Sequence, residues 1–259
     1  MSLLSIGMSG LNAAQGSLSV LSNNIANVNT PGYSRQQTTQ NANANNPYGG
    51  VFIGSGTTLA DVRRVYNEFL DQAYQNSTSL NNDAKAYSSQ ASAIDKTLSD
   101  KTTGMSSVLS AFFAAVQTSS ANPSDVSARQ VLLTSAQTLS NRFNSISNQL
   151  NQQKESINGQ LSTMSDQVNQ LTASIASLNK QITQVQGSSN SAPANLLDAR
   201  NEAVRSLNEL VGVTASEKNG VFSVSTGTGQ SLVLGDQSNT ISAVSYTHLR
   251  AHETEADLV

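Results

Sequence analysis

The 259-residue sequence has no cysteine and no tryptophan, and its two histidines, His248 and His252, both lie in the last fifteen residues. Without cysteine there is no disulfide, thiolate metal ligand or thiol nucleophile, and cysteine usage says nothing about redox compartment. Before residue 248 there is also no imidazole to act as a base near neutral pH. Charge is scarce: 12% of residues, 14 basic against 17 acidic, with a net charge of −3 and no Lys/Arg cluster. Nucleic-acid binding needs a concentrated basic surface, so that class of function is excluded. No apolar run approaches the ~18 residues of a membrane span, and no basic residue precedes Arg35, which leaves out the basic start of a cleaved secretory signal. Gly54-Ser55-Gly56 and Gly227-Thr228-Gly229 lack the longer frames that cradle phosphate and read as turns. The sequence therefore offers no catalytic residue, metal site or cofactor site.

What it has in abundance is uncharged polarity. There are 41 Ser, 27 Asn, 21 Gln and 21 Thr residues, about two in five of the chain. With 37% hydrophobic residues this suits elongated helices with thin apolar seams better than a thick core. The expected fold class is mainly α with a β segment: a long α-helical coiled-coil rod, a disordered or helical N-terminal segment, and the start of a β-rich outer domain.

Leu4, Leu11, Ala14, Leu18, Leu21, Ile25 and Val28 recur at spacings of seven, three and four, one stripe of a helix from about Ser2 to Val28. Gly7, Gly10 and Gly16 interrupt it at roughly 0.5–1 kcal/mol each relative to Ala, so the helix is stable only when packed. Two readings follow, a terminal helix folded onto its own domain or a segment that orders on assembly. Asn29-Thr30-Pro31-Gly32 stops the helix, a loop follows, and Asn41 to Gly50 is too polar and Gly/Pro-punctuated for an element. Val51-Phe52-Ile53 and Thr57 to Val65 have the composition of short strands.

A coiled-coil register begins at Tyr66 and runs through Leu70, Ala73, Ser77, Leu80, Ala84, Tyr87, Ala91, Ile94 and Leu98. Thr103-Gly104 breaks it, and a short helix from Val108 to Gln117 turns back along it. Asn122-Pro123-Ser124-Asp125 is a turn that ends in an N-cap. The longest seam reads Leu139, Phe143, Ile146, Leu150, Gln153, Ile157, Leu161, Met164, Val168, Leu171, Ile175, Leu178, Ile182 and Val185, with a stutter beside Asn158-Gly159 where the helix could hinge. Unbroken from Val126 to Gln186 it would be roughly 90 Å long. Residues 187–193 end it, and an amphipathic, relatively charged helix spans Leu196 to Leu210. Then the period changes to two, around an Asn219-Gly220 turn, with strand patterns at Val211–Ala215, Val221–Val224 and Ser231–Leu234. Three or four strands leave an unpaired edge, so the chain looks cut inside a domain.

The expected divisions are 1–35, an axial-core helix that orders on assembly; 36–65, loop and short strands; 66–210, the rod; 211–244, the start of a truncated β-domain; and 245–259, a non-native tail. That tail holds both histidines and 4 of the 31 charges. His248 and His252 at i, i+4 with Glu253 or Glu255 have metal-ligand spacing, but foreign sequence joined to a truncated frame accounts better for so abrupt a change in composition.

Two segments carry a specific likeness. Ser9-Gly10-Leu11-Asn12-Ala13-Ala14-Gln15, and Leu21-Ser22-Asn23-Asn24-Ile25-Ala26-Asn27-Val28-Asn29-Thr30-Pro31-Gly32-Tyr33, resemble the N-terminal signature of the bacterial flagellar axial proteins of rod, hook and hook-associated type. The continuation Tyr33-Ser34-Arg35-Gln36, the long coiled segment, and Asn195-Leu196-Leu197-Asp198-Ala199-Arg200 leading to Val213 are similar to the hook-associated members, over about residues 1–244. The resemblance implies a structural adaptor joining hook to filament, self-associated in a ring or helical layer, extracellular, and exported by the flagellar type III apparatus without a cleaved signal. Its implied partners are the hook protein, the next hook-associated protein and an export chaperone, whose site would lie in a C-terminal part this sequence lacks. Carried over residue by residue, the assembly interface would comprise Leu4, Leu11, Ala14, Leu18, Leu21 and Ile25, with Asn23, Asn24, Asn27, Gly32 and Tyr33 shaping the helix end. A different class of function, a cytoplasmic coiled-coil signalling or scaffold protein, would also use Ser/Ala/Gln-rich heptads, but the β segment counts against it.

Overall fold

The computed structural model of the protein describes residues 3–44, 46–48, 51–99, 104–188 and 193–244. His248, His252 and the whole expected tail lie outside the described residues, as do Thr103 and most of the expected 187–193 linker. The described elements are α1 (Leu3–Ala26), β1 (Gln36–Ala42), β2 (Asn46–Tyr48), β3 (Val51–Ile53), β4 (Thr57–Arg64), α2 (Glu68–Ser99), α3 (Met105–Ala121), α4 (Val126–Ser188), α5 (Ala194–Leu210), β5 (Val213–Lys218), β6 (Val221–Thr226), β7 (Ser231–Leu234) and β8 (Gln237–Ser238). They divide into two compact units, residues 1–80 with 167–240, and residues 81–166 with the described residues from Ile241 on.

In the first unit, β1 and β4 form an antiparallel ribbon that pairs Gln36 with Arg64 at its base and Ala42 with Thr57 at its far end. The strand β1, and β2 inside the stretch read as too polar for any element, correct the expectation of an unstructured loop. The sequence Gln-Gln-Thr-Thr-Gln-Asn-Ala has no apolar alternation, so the strand is specified by its ladder to β4 and by α1 lying on it, a tertiary context that overrides weak propensity. Helix α1 packs with a face that the leucine periodicity does not reveal. Ala13 is buried, Gly16 admits the Leu59 side chain, Ser9 Oγ accepts from Thr57 N (3.2 Å), and Ser17 meets Thr38 (3.2 Å). Small residues let the helix backbone approach the ribbon.

The rest of the first unit is built from the start of α2, the end of α4, α5 and an antiparallel sheet of order β5-β6-β7-β8. Asn219 (φ 53°) and Gly220 (φ 76°) make the turn joining β5 to β6, as the Asn-Gly pair predicts, since both central positions need positive φ. The core of the unit comes from α4 (Val168, Ile175, Ile182), α5 (Val204, Leu207) and the sheet (Val213, Val224, Leu232, Val233), all nearly inaccessible. The charged, amphipathic helix expected at 196–210 thus starts two residues earlier and is a central element of the unit.

The second unit contains the latter part of α2, α3 and the first part of α4. Among the described residues its buried apolar side chains are few, Ala115, Ala128 and Ile146, as expected of a thin seam. Gln153 Nε2 donates to Gln90 Oε1 at 3.4 Å across the α2–α4 seam, beside an open volume of about 200 Å³ bounded by Ile94, Leu150 and Ile157. Gly159, where the sequence allows either a straight or a hinged helix, lies inside an uninterrupted helical stretch.

Candidate assembly surface

An apolar stripe on a helix has to be covered by something, so its fate in the folded chain is informative. On α1 the stripe is outward: Leu4, Leu11, Leu18, Leu21 and Ile25 are 52–76% exposed, and Leu3 and Val28 extend it. Ala14 and Asn23 are exposed with it. The helix end is built as a polar latch. The Asn24 amide donates to Gln36 O and its Oδ1 accepts from Gln36 N, both at 2.8 Å, while Tyr33 Oη donates to the same Oδ1 at 2.8 Å. Burial, and then the nearby Asp198 charge, raise the Tyr33 phenol above its ordinary pKa. Asn27 turns back to donate to Asn23 O and Oδ1 at 3.0 and 2.8 Å. Gly32 has φ +76°, and a Cβ there would sit 2.8 Å from Glu202 Oε2, so only glycine fits the turn against α5.

The second group of expected residues, the coiled-coil seam, divides by helix. On α2, Leu70, Leu80, Tyr87, Ile94 and Leu98 are all exposed. On α4, Ile146, Val168, Ile175 and Ile182 are buried; Leu139, Ile157, Met164, Leu171 and Leu178 are half-buried; Phe143, Leu150 and Leu161 are exposed. A single periodic pattern therefore labels both covered and uncovered positions.

Sequence reasoning missed a polar hub on α5. The Asp198 carboxylate is 8% exposed; its Oδ1 accepts from Arg64 Nη1 at 2.7 Å and its Oδ2 from Ser34 N at 3.0 Å. Arg205 bridges Asp71 and Glu202, at 2.9 Å each, and these carboxylates hold its pKa up against the opposing effect of burial. The Asp71 carboxylate also accepts from Tyr66 Oη and Gln75 Nε2, both at 2.9 Å. Burial, then that hydrogen bond, push the Tyr66 phenol up to about 12. Asn208 donates to Gln75 O at 2.6 Å and accepts from Val213 N at 2.9 Å, tying α5 to both α2 and β5. Arg200 lies over the Phe222 ring at 3.8 Å and reaches Asn179 and Glu217, each at 3.3 Å, while its Nε is buried without a partner. Burial lowers its pKa, and Glu217 opposes that. The signal that could have led to the hub is compositional, because α5 concentrates charge in a chain that otherwise avoids it.

A cavity of about 440 Å³ lies against the hub, bounded by Arg64, Tyr66, Asp71, Arg200, Glu217 and Phe222. Asp71, Asp198 and Glu217 each already hold an arginine, an arrangement suited to fixing one geometry rather than to moving protons. Among the described residues no group of three or more His, Asp or Glu could hold a metal ion, and no helix is long and apolar enough to cross a membrane.

Comparison with known proteins adds to this geometry. Residues 91–258 match the family model described as the flagellar hook-associated protein FlgK helical domain, and residues 4–33 match that of the flagella basal body rod protein. The chain is 36% identical over 246 residues to flagellar hook-associated protein 1 of Salmonella typhimurium, covering 94% of this chain and 44% of that protein. It is 32% identical over 219 residues to the Bacillus subtilis protein of the same name, covering 80% of this chain and 42% of the relative. Thus the chain spans about half the length of the curated relatives it matches. The solved structure of the flagellar hook junction protein FlgK from Burkholderia pseudomallei superimposes with a TM-score of 0.55 at 32% identity, over 67% of this chain and 30% of that one.

Proposed function

The chain belongs to the flagellar hook-associated protein FlgK family, and from that premise we propose that it is a structural subunit of the bacterial flagellum, an adaptor that joins hook to filament through helical subunit packing. The observation that carries the reading is the exposed stripe of α1, Leu4 to Ile25, in the segment that matches the rod-protein model. Five large apolar side chains aligned on one helix, Leu4, Leu11, Leu18, Leu21 and Ile25, gain free energy when they are covered, about 1.5–3 kcal/mol each if fully buried, which another chain segment can do. The other face of α1 is already held on the β1–β4 ribbon, so covering the stripe adds stability to a helix that exists in the subunit. Copies of the same chain in a ring or helical layer, the hook protein and the next hook-associated protein are the neighbours this role requires. The protein acts outside the cell after export through the flagellar type III apparatus, with a chaperone and without a cleaved signal, and its role is mechanical rather than enzymatic. A cytoplasmic signalling rod is disfavoured by family membership and by the four-stranded sheet.

The test is Leu18→Asp in the chromosomal gene. We expect loss of swimming and loss of the protein from isolated flagella, while the purified variant keeps its helical far-ultraviolet spectrum, because Leu18 is 63% exposed in the subunit. Normal swimming with the variant present in flagella refutes the assignment of this surface.

A further inference from the structure

We propose that Asp198 is a positioning residue whose carboxylate clamps the base of the β1–β4 ribbon onto α5 and so sets the direction in which α1 presents its apolar stripe. The proposal rests on reading that stripe as an assembly surface. Its geometry is independent of that reading. Ser34 lies two residues before β1, and Arg64 is the last residue of β4, so the two oxygens of one carboxylate hold both strands at the point where the ribbon begins. Val65 N donates to Arg35 O at 2.7 Å between the two attachment points and closes the base. Helix α1 packs on this ribbon and is latched to its first residue by Asn24, so turning the ribbon turns the helix.

The chemistry at 198 is specific. Both partners are donors, a guanidinium and a peptide N–H, and only a carboxylate offers two acceptors to them. Asparagine would turn an NH₂ toward one of these donors and release one strand. A buried ion pair contributes little net stability compared with well-packed apolar residues, and breaking one by removing a partner is costly, so in this proposal its role is to select one arrangement of the ribbon. One turn further along α5, Glu202 lies against Gly32, so a second contact braces the connection between α1 and β1.

The experiment measures direction rather than stability. The chain has no cysteine, so Ser19→Cys on α1 and Ser177→Cys on α4, both exposed and both in the first unit, can carry spin labels for electron–electron distance measurement on the full chain. We expect one narrow distance distribution in the parent. Asp198→Ala should broaden it at least about twofold, and Asp198→Asn should broaden it less, as the arm samples several orientations. Glu217→Gln removes another ion pair of the hub, one that does not touch the ribbon, and should leave the distribution narrow. If Asp198→Ala loses its helical spectrum, Asp198→Asn decides. A distribution as narrow as the parent's in the folded Asp198 variants overturns the clamp, and so does equal broadening by Glu217→Gln. Failure of the assembly reading shows elsewhere, as normal swimming of the Leu18→Asp strain.

Discussion

Replacing Ile175 and Leu70 separately by alanine compares two positions with the same heptad standing and opposite surroundings. Both lie in the first unit, on α4 and α2, yet Ile175 is 0% exposed and Leu70 is 62% exposed. Ile→Ala removes three carbons, about 2.4 kcal/mol of transfer free energy at ~0.8 per buried methylene. The unfilled space adds roughly 1 kcal/mol, and the better helix propensity of alanine returns about 0.4. The expected loss at Ile175 is therefore about 3 kcal/mol. At Leu70 little more than a third of the side chain is covered, so the same reasoning yields about 1 kcal/mol of transfer, less a few tenths for propensity, and no cavity. Urea unfolding followed by circular dichroism, at a concentration where the chain is monomeric, measures both. With a slope of about 2 kcal/mol per molar, the midpoint should fall by roughly 1.5 M for Ile175→Ala and by less than about 0.5 M for Leu70→Ala. Equal shifts would refute the argument, because they would mean that the α2 stripe is covered in the free subunit.

Three other outcomes are expected. Gly32→Ala should destabilise the first unit by about 1–3 kcal/mol in thermal melts, since it forces a Cβ into φ +76° and against Glu202, whereas Gly159→Ala, with nothing within 4 Å, should stabilise its helix by about 0.5–1 kcal/mol. In an ultraviolet titration Tyr66 should ionise late; its folded pKa of about 12 lies above the ordinary 10.0, so the stability it contributes is complete below pH 10 and is lost as pH rises toward 12. In Tyr66→Phe that part of the alkaline loss should disappear, and an unchanged alkaline profile would contradict the Asp71 hydrogen bond. Leu171→Asp should unfold the first unit by several kcal/mol, and Ser177→Asp, on an exposed face, should be nearly silent in the same melts.

Much of the secondary structure was legible because its signals are local. Steps of three and four, with the Asn122–Asp125 turn for the start of α4, mark α2 and α4 within two residues of their observed limits, and Asn219-Gly220 marks the β5–β6 turn through a backbone requirement that needs no neighbours. The strand β1 was not legible, because Gln36 to Ala42 carries no alternation and is defined by what it pairs with. The packed face of α1 was hidden for a related reason. Periodicity analysis follows large apolar residues, and here the contact is made by Ser9, Ala13, Gly16 and Ser17, chosen for their small size.

The sequence by itself determined that this protein would be helical and seam-forming, without thiol or, up to residue 244, imidazole chemistry, and it located the α1 stripe and the axial-protein signature, because periodicity and residue type are properties of the chain alone. Only the tertiary structure decided which seam positions are covered and where the few charges go. Ile175 and Leu70 are equivalent by spacing, and burial depends on what lies opposite. Asp198 is more than a hundred residues from both Arg64 and Ser34, and the three become one clamp only when α5 meets the base of the ribbon.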